Sequence, residues 1–453
     1  MILGCVPSPP SSGERARVTG DGTTGINFTL PSAFAVTGTV DVSAASTLTI
    51  ANTTNPTLGT VSAGTVAFTA TSPQTVPIST YGNLSVSTTG GSATAAGAIT
   101  ANIALTIASG SILDLSTFAL GGASLTTSGS GTLKTQHTTA SPIPTGKTWS
   151  MDVLYNSATA QTVVAGTYAN LDISGGARTL INGGTINISG IYTPGTGALT
   201  VTGNTINFNG ANGQTIPAAT YNTITSSNNT RTLANGIIKI GGNFTPGSGN
   251  YTIGTSTVDF NGTAAQTIPV LSVASGGNYY TLKYSGTSIA TLGGSMTAGG
   301  NVISAGAGTA PNGSIGFSGA AAHVLTINGD LVLTSGTVDW ALTSAIASGS
   351  ISLLGNITQA SGITFTTTTN AVNGSIIFNG SGTIASPQTI TLTANSTFQY
   401  TNLTIGASTT VQVNNSFVLT GSTTAAYIGT LSVNGIFKSS EHINYIFCGI
   451  RCL

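Results

Sequence analysis

Charge is almost absent from this chain of 453 residues: ten basic and ten acidic side chains make up 4% of it, against roughly 25% in ordinary soluble proteins. No Asp, Glu, Lys or Arg occurs between Val42 and Leu113, or between Trp340 and Phe437. Net charge is zero and no basic patch exists, so binding to nucleic acid or to an anionic membrane surface has no electrostatic basis. Cysteine is scarce as well. Cys5, Cys448 and Cys452 stand at the two ends, so the body does not rest on a disulfide framework. They are too few to hold a metal, and no histidine pair stands at ligand spacing beside them. No run of about 18 uninterrupted apolar residues occurs, which excludes a membrane-spanning helix. A helical period is missing too, because corner residues interrupt the chain every few positions.

What is present points to short strands. Hydrophobic residues make up 40% of the chain, too many for a disordered segment, and 61 glycines punctuate them. Thr205-Ile206-Asn207-Phe208 and Thr257-Val258-Asp259-Phe260 alternate polar and apolar, the period of a half-buried strand. Asn-Gly and Pro-Gly steps beside such runs supply the backbone angles that corners need.

One phrase recurs: Gln-Thr-aliphatic, followed by a tyrosine. It is seen as Gln74 with Tyr81, Gln161 with Tyr168, Gln214 with Tyr221, Gln266 with Tyr280, and Gln388 with Tyr400. The glutamines are 87, 53, 52 and 122 residues apart, close to five, three, three and seven multiples of about 17.4. The stretches from Ile188 and from Ile240 agree at half of thirty positions at an offset of 52. Within them Phe208-Asn209-Gly210 matches Phe260-Asn261-Gly262, and Phe378-Asn379-Gly380 supplies a third copy. Arg178-Thr179-Leu180 and Arg231-Thr232-Leu233 correspond at an offset of 53.

These patterns predict an all-β parallel β-helix, or β-solenoid, of about 17 residues per rung over residues 25–437. Phe208, Phe260 and Phe378 would point inward, and Asn209, Asn261 and Asn379 would stand at corners. Asn and Thr at equivalent positions would form side-chain ladders, and the tyrosines would mark a recurring corner. An array of β-sandwich repeats is the alternative. Residues 1–24 read as an irregular N-terminal segment and 438–453 as an atypical tail.

Groups able to carry chemistry are few. Asp330 and Asp339 stand nine residues apart, a spacing that would allow two carboxylates to share acid–base work if they faced the same side. His137 and His323 are separated by a large part of the chain. Gly146-Lys147-Thr148 copies the end of a phosphate-binding loop, but Ser141 stands where the upstream glycine belongs, and Pro142 and Pro144 contradict it. The expectation is a protein without catalytic residues, cofactor or metal.

The Phe-Asn-Gly, Gln-Thr-Ile-Pro and Gly-Asn-Phe-Thr phrases, in a Gly/Thr/Asn/Ser background, resemble repeat regions of bacterial surface proteins. These are the filamentous-haemagglutinin-like and adhesin-like proteins, and the likeness covers most of residues 25–437. It implies secretion to the cell surface or beyond and supplies no catalytic residue. Met1-Ile2-Leu3-Gly4-Cys5 resembles the end of a lipoprotein signal, without the basic and apolar regions that precede such a site. The expected role is a non-catalytic extracellular structural or adhesive protein, either a stalk or a self-assembling filament subunit. Its expected partners are copies of itself, surface glycans or other cell-surface proteins. Ice binding through Thr-x-Thr faces such as Thr47-Leu48-Thr49, Thr364-Phe365-Thr366 and Thr391-Leu392-Thr393 is a second reading. A carbohydrate-active β-helix enzyme is a third.

Overall fold

A computed structural model describes residues 15–18, 27–30, 39–53, 57–61, 63–308, 313–317, 322–340, 349–360, 364–366, 374–393, 396–415, 417–420 and 429–440. Cys5, Cys448 and Cys452 lie outside the described residues. Among the described residues every regular element is a short strand, and there is no helix. Each strand pairs in parallel with the strand one turn away, as Thr47–Ile50 does with Thr65–Phe68. Parallel stacking of successive turns is the β-solenoid; the antiparallel pairing of a sandwich is not seen among them. The coil reaches further than residues 25–437: Arg15–Val18 pairs with Thr39–Val42, and Ile436–Ser439 pairs with Thr410–Val413. Contacts group the chain into two compact units, Met1–Gly210 and Ala211–Leu453.

In the first unit, alternation along each strand becomes columns along the coil. Leu48, Val66, Leu84 and Leu105 stand in register and are buried, as are Ile50, Phe68, Val86 and Ile107. Their neighbours face outward in two columns: Thr47, Thr65, Asn83, Ala104, Thr126, and Thr49, Ala67, Ser85, Thr106, Ser128. These outward residues are all small and uncharged.

The pitch is longer than the predicted value of about 17 residues per rung. From Gln74 the register runs to Ala93, Leu113, Leu133, Val153 and Leu171, each step covering about 20 residues of one repeating turn. In the second unit the register passes from Tyr221 to Ile240, Phe260 and Tyr284, with a wider last step. Later turns lengthen further: the register partner of Ile357 is Ile390. The typical spacing is about 21. The shorter value arose because the glutamine phrase does not return to the same side of the coil. Four turns after Gln74 the register reaches Val153, whereas Gln161 follows in a different sheet, paired with Arg178. Intervals between copies are therefore not whole turns.

Stacked turns also build an aromatic column inside the second unit, in strand register between Phe365 and Phe398. Phe317, Trp340, Phe365 and Phe398 stack with centroids 5.6, 5.7 and 4.8 Å apart and planes within 22° of parallel. Phe417 closes the series edge-on at 5.5 Å. Trp340 Nε1 donates to Thr401 Oγ1 at 3.0 Å, so the indole is buried without losing its hydrogen bond. Gly374 lies against the indole, and a Cβ there would overlap the ring.

Candidate functional site

The recurring glutamine is a buried staple between turns. Gln74 donates through Nε2 to the carbonyls of Ile50 and Asn52, both at 2.8 Å, and accepts at Oε1 from the Ala70 N–H at 3.2 Å. Gln161 does the same with Thr135 O, His137 O and the Ser157 N–H at 3.0, 3.1 and 3.0 Å. Gln266 bonds Ile240 O, Gly242 O and the Gly262 N–H at 2.8, 2.6 and 2.8 Å. Gln388 bonds Leu353 O, Gly355 O and the Gly380 N–H. Gln214 is buried too, in register with Arg231 as Gln161 is with Arg178. Only an amide carries both donors and an acceptor at that reach, so neither Glu nor Leu can replace it. This explains why Phe-Asn-Gly precedes the phrase. Phe208, Phe260 and Phe378 are buried inward, Asn209 and Asn379 are exposed, Asn261 is half-buried, and the glycines of the last two copies present their N–H to the glutamine. A Cβ on Gly262 would stand 2.5 Å from Gly241 O and 2.7 Å from the Gln266 amide carbon.

The tyrosine closes the same corner. Tyr81, Tyr168 and Tyr221 donate to the carbonyls of Pro77, Val164 and Pro217, four residues back, at 2.6, 2.8 and 2.8 Å. Two predicted corner tyrosines are corrected. After Gln266 the role falls to Tyr279, which bonds Pro269 O at 2.6 Å across ten residues, while Tyr280 is 40% exposed. Six residues inserted after Pro269 carry the corner position to Tyr279, and the adjacent Tyr280 lies outside it. Tyr400 sits at φ 53° in a turn between Ser396–Gln399 and Thr401–Ile405, half-exposed, and closes no such corner among the described residues.

Two arginines missed as structural residues follow the glutamines. Arg178 pairs in register with Gln161, and Arg231 with Gln214. Arg178, 2% exposed, donates to the carbonyls of Tyr155, Ser157, Thr159, Ser174 and Ala177 at 2.7, 3.1, 3.4, 3.0 and 2.9 Å. Burial lowers its pKa, and the nearby Asp172 opposes that shift. The guanidinium thus gathers the carbonyls of a corner one turn after the amide does. The offset of 53 between the two Arg-Thr-Leu copies, beside the glutamine phrases, was the available signal.

The remaining charges are dispersed into structure. Lys134 pairs with Asp114 at 2.7 Å and Lys283 with Asp259 at 3.0 Å, each across one turn. Asp330 belongs to the predicted amide ladder: Asn301 Oδ1 accepts its N–H, its Oδ1 accepts the Asn356 N–H, and Asn356 Oδ1 accepts the Thr389 N–H, at 2.9, 2.7 and 2.8 Å. Asp339 is buried on a strand of another sheet, so the two carboxylates are not brought together. His137 contacts Thr117 O at 2.6 Å, and the His323 backbone carbonyl accepts the Ser350 N–H at 3.0 Å. Lys147 begins the strand Lys147–Tyr155 and bonds the Ala123 carbonyl. Among the described residues no group of three or more His, Cys, Asp or Glu lies close enough to hold a metal ion.

The buried tyrosines make the corners sensitive to alkali. Burial pushes Tyr155 up to about 12 and holds Tyr168 and Tyr279 well above the ordinary value of 10.0. A raised phenol pKa means the fold favours the neutral form, so this stability is complete below pH 10 and is lost as pH rises towards 12 and beyond. In an alkaline titration, tyrosinate absorbance from these residues should lag and then appear together with loss of the β-sheet circular dichroism signal. Full tyrosine ionisation near pH 10 with the β signal intact would contradict this.

No known protein family matches the chain, and neither a curated protein nor a solved structure does.

Proposed function

We propose that this chain is a non-catalytic extracellular structural or adhesive protein, a surface stalk or a self-assembling filament subunit. The observation that carries the reading is where the recurring polar side chains point. Glutamines and arginines turn inward and tie one turn to the next, the tyrosines close the corners, and the two outward columns traced in the first unit are small and uncharged. A surface with so little charge gives neighbouring copies little mutual repulsion. In a parallel coil, any terminal turn left uncovered would offer backbone groups to a strand of another copy. Ice binding has less support, because Asn and Ala interrupt the threonines of the outward columns.

Sedimentation velocity at tens of micromolar, in low and high salt, with negative-stain microscopy of the same samples, tests this reading. Elongated assemblies that persist in high salt are expected, since strand pairing and apolar contact are hardly screened. A stable monomer under both conditions would overturn self-assembly.

A further inference from the structure

The six residues inserted between Pro269 and Tyr279 are absent from the Pro217–Tyr221 corner, where the tyrosine hydroxyl reaches back four residues instead of ten. Insertions into a repeat form loops on one face, often the face that binds. Here Ala274–Gly277 wall an open cavity of about 400 Å³, completed by Tyr251, Thr252, Tyr280, Gly299 and Asn328. That volume lies in the range of small-molecule sites, roughly 300–1,000 Å³.

Tyr280 is one of the residues that line it. The ring rests on a backbone stripped of side chains: a Cβ on Gly300 would stand 3.2 Å from its Cε1 and 3.3 Å from its Cζ. The Gly299 and Gly300 N–H groups donate to the carbonyls of Tyr279 and Tyr280 at 2.7 and 2.8 Å, which fixes that backbone beneath the ring. With 40% of the residue exposed, the ring is a supported aromatic platform. Around it stand the exposed hydroxyls of Thr252 and Ser275 and the exposed amide of Asn328, which has no side-chain partner among the described residues. Among the described residues no Asp, Glu, Lys, Arg or His lines the cavity.

An aromatic face bordered by neutral hydroxyl and amide groups complements a ring that is apolar on one face and hydroxylated at its edge. We propose that this cavity binds a neutral sugar unit of an uncharged glycan, with the sugar's C–H face stacked on Tyr280 and its hydroxyls bonded to Ser275 and Asn328. Acidic or phosphorylated sugars would find no cation there. The proposal rests on the adhesive reading and names its ligand class.

Calorimetric titration of the full chain with neutral oligosaccharides of glucose, mannose, xylose and N-acetylglucosamine, and with an acidic oligogalacturonate, tests it. At least one neutral oligosaccharide should bind, and Tyr280→Ala should weaken it about tenfold while leaving the thermal transition unchanged. Asn328→Ala, at a second exposed position, should also weaken binding. Absence of binding by every neutral oligosaccharide, binding of the acidic one alone, or undiminished affinity in both variants would overturn the proposal. Sedimentation of Tyr280→Ala separates the two readings: assembly should be retained, so loss of sugar binding alone leaves the structural reading standing.

Discussion

Replacing Phe365 by Ala should destabilise the second unit by about 3–5 kcal/mol, the range for emptying a buried aromatic site. Phe365 is fully buried and stacks on Trp340 at 5.7 Å and on Phe398 at 4.8 Å. Each such contact adds about 0.5–1.5 kcal/mol beyond area burial, and the substitution removes both. The site cannot readily collapse, because strand ladders hold the residues above and below: Val338 and Phe398 are its register partners. Phe365→Leu, which restores most of the volume but not the stacking, should recover roughly half. Urea denaturation followed by circular dichroism measures the effect. A loss under about 1 kcal/mol for the Ala variant would show that the column is not a source of stability.

Arg178→Met should cost the first unit about 3–5 kcal/mol for a different reason, the loss of a buried hydrogen-bonding hub. The apolar stem is preserved, but five donor contacts to corner carbonyls disappear together. Each carbonyl left buried without a donor costs about 1–3 kcal/mol. The Ser157 and Ala177 carbonyls also accept the N–H of Gly176 and Gln161, so the penalty is smaller than five independent losses. Arg178→Lys retains the charge yet lacks the planar fork that reaches several carbonyls at once, and should recover only part. If the cation were merely tolerated at this corner, Arg178→Met would be neutral or stabilising in the same denaturation experiment. That outcome would refute the staple.

Several features were legible in the sequence because they are local. The alternation in Thr205-Ile206-Asn207-Phe208 reports which side chains face in, and the structure buries Ile206 and Phe208. Glycine-rich corners and the absence of a helical period follow from backbone preferences of single residues. The glutamine phrase marked real corners, and equivalent polar positions form the axial ladder through Asn301, Asp330 and Asn356. Only the tertiary structure decided the pitch, the tyrosine that closes the Gln266 corner, and the work of Arg178 and Arg231. Register in a parallel coil depends on how far the chain travels before it lies beside itself, and each corner sets that distance separately. Six extra residues before Tyr279 change the partner without changing the strand signal. A cation with no adjacent carboxylate looks exposed in a sequence; it is buried here because carbonyls from successive turns converge on it, and that convergence exists only once the coil has closed.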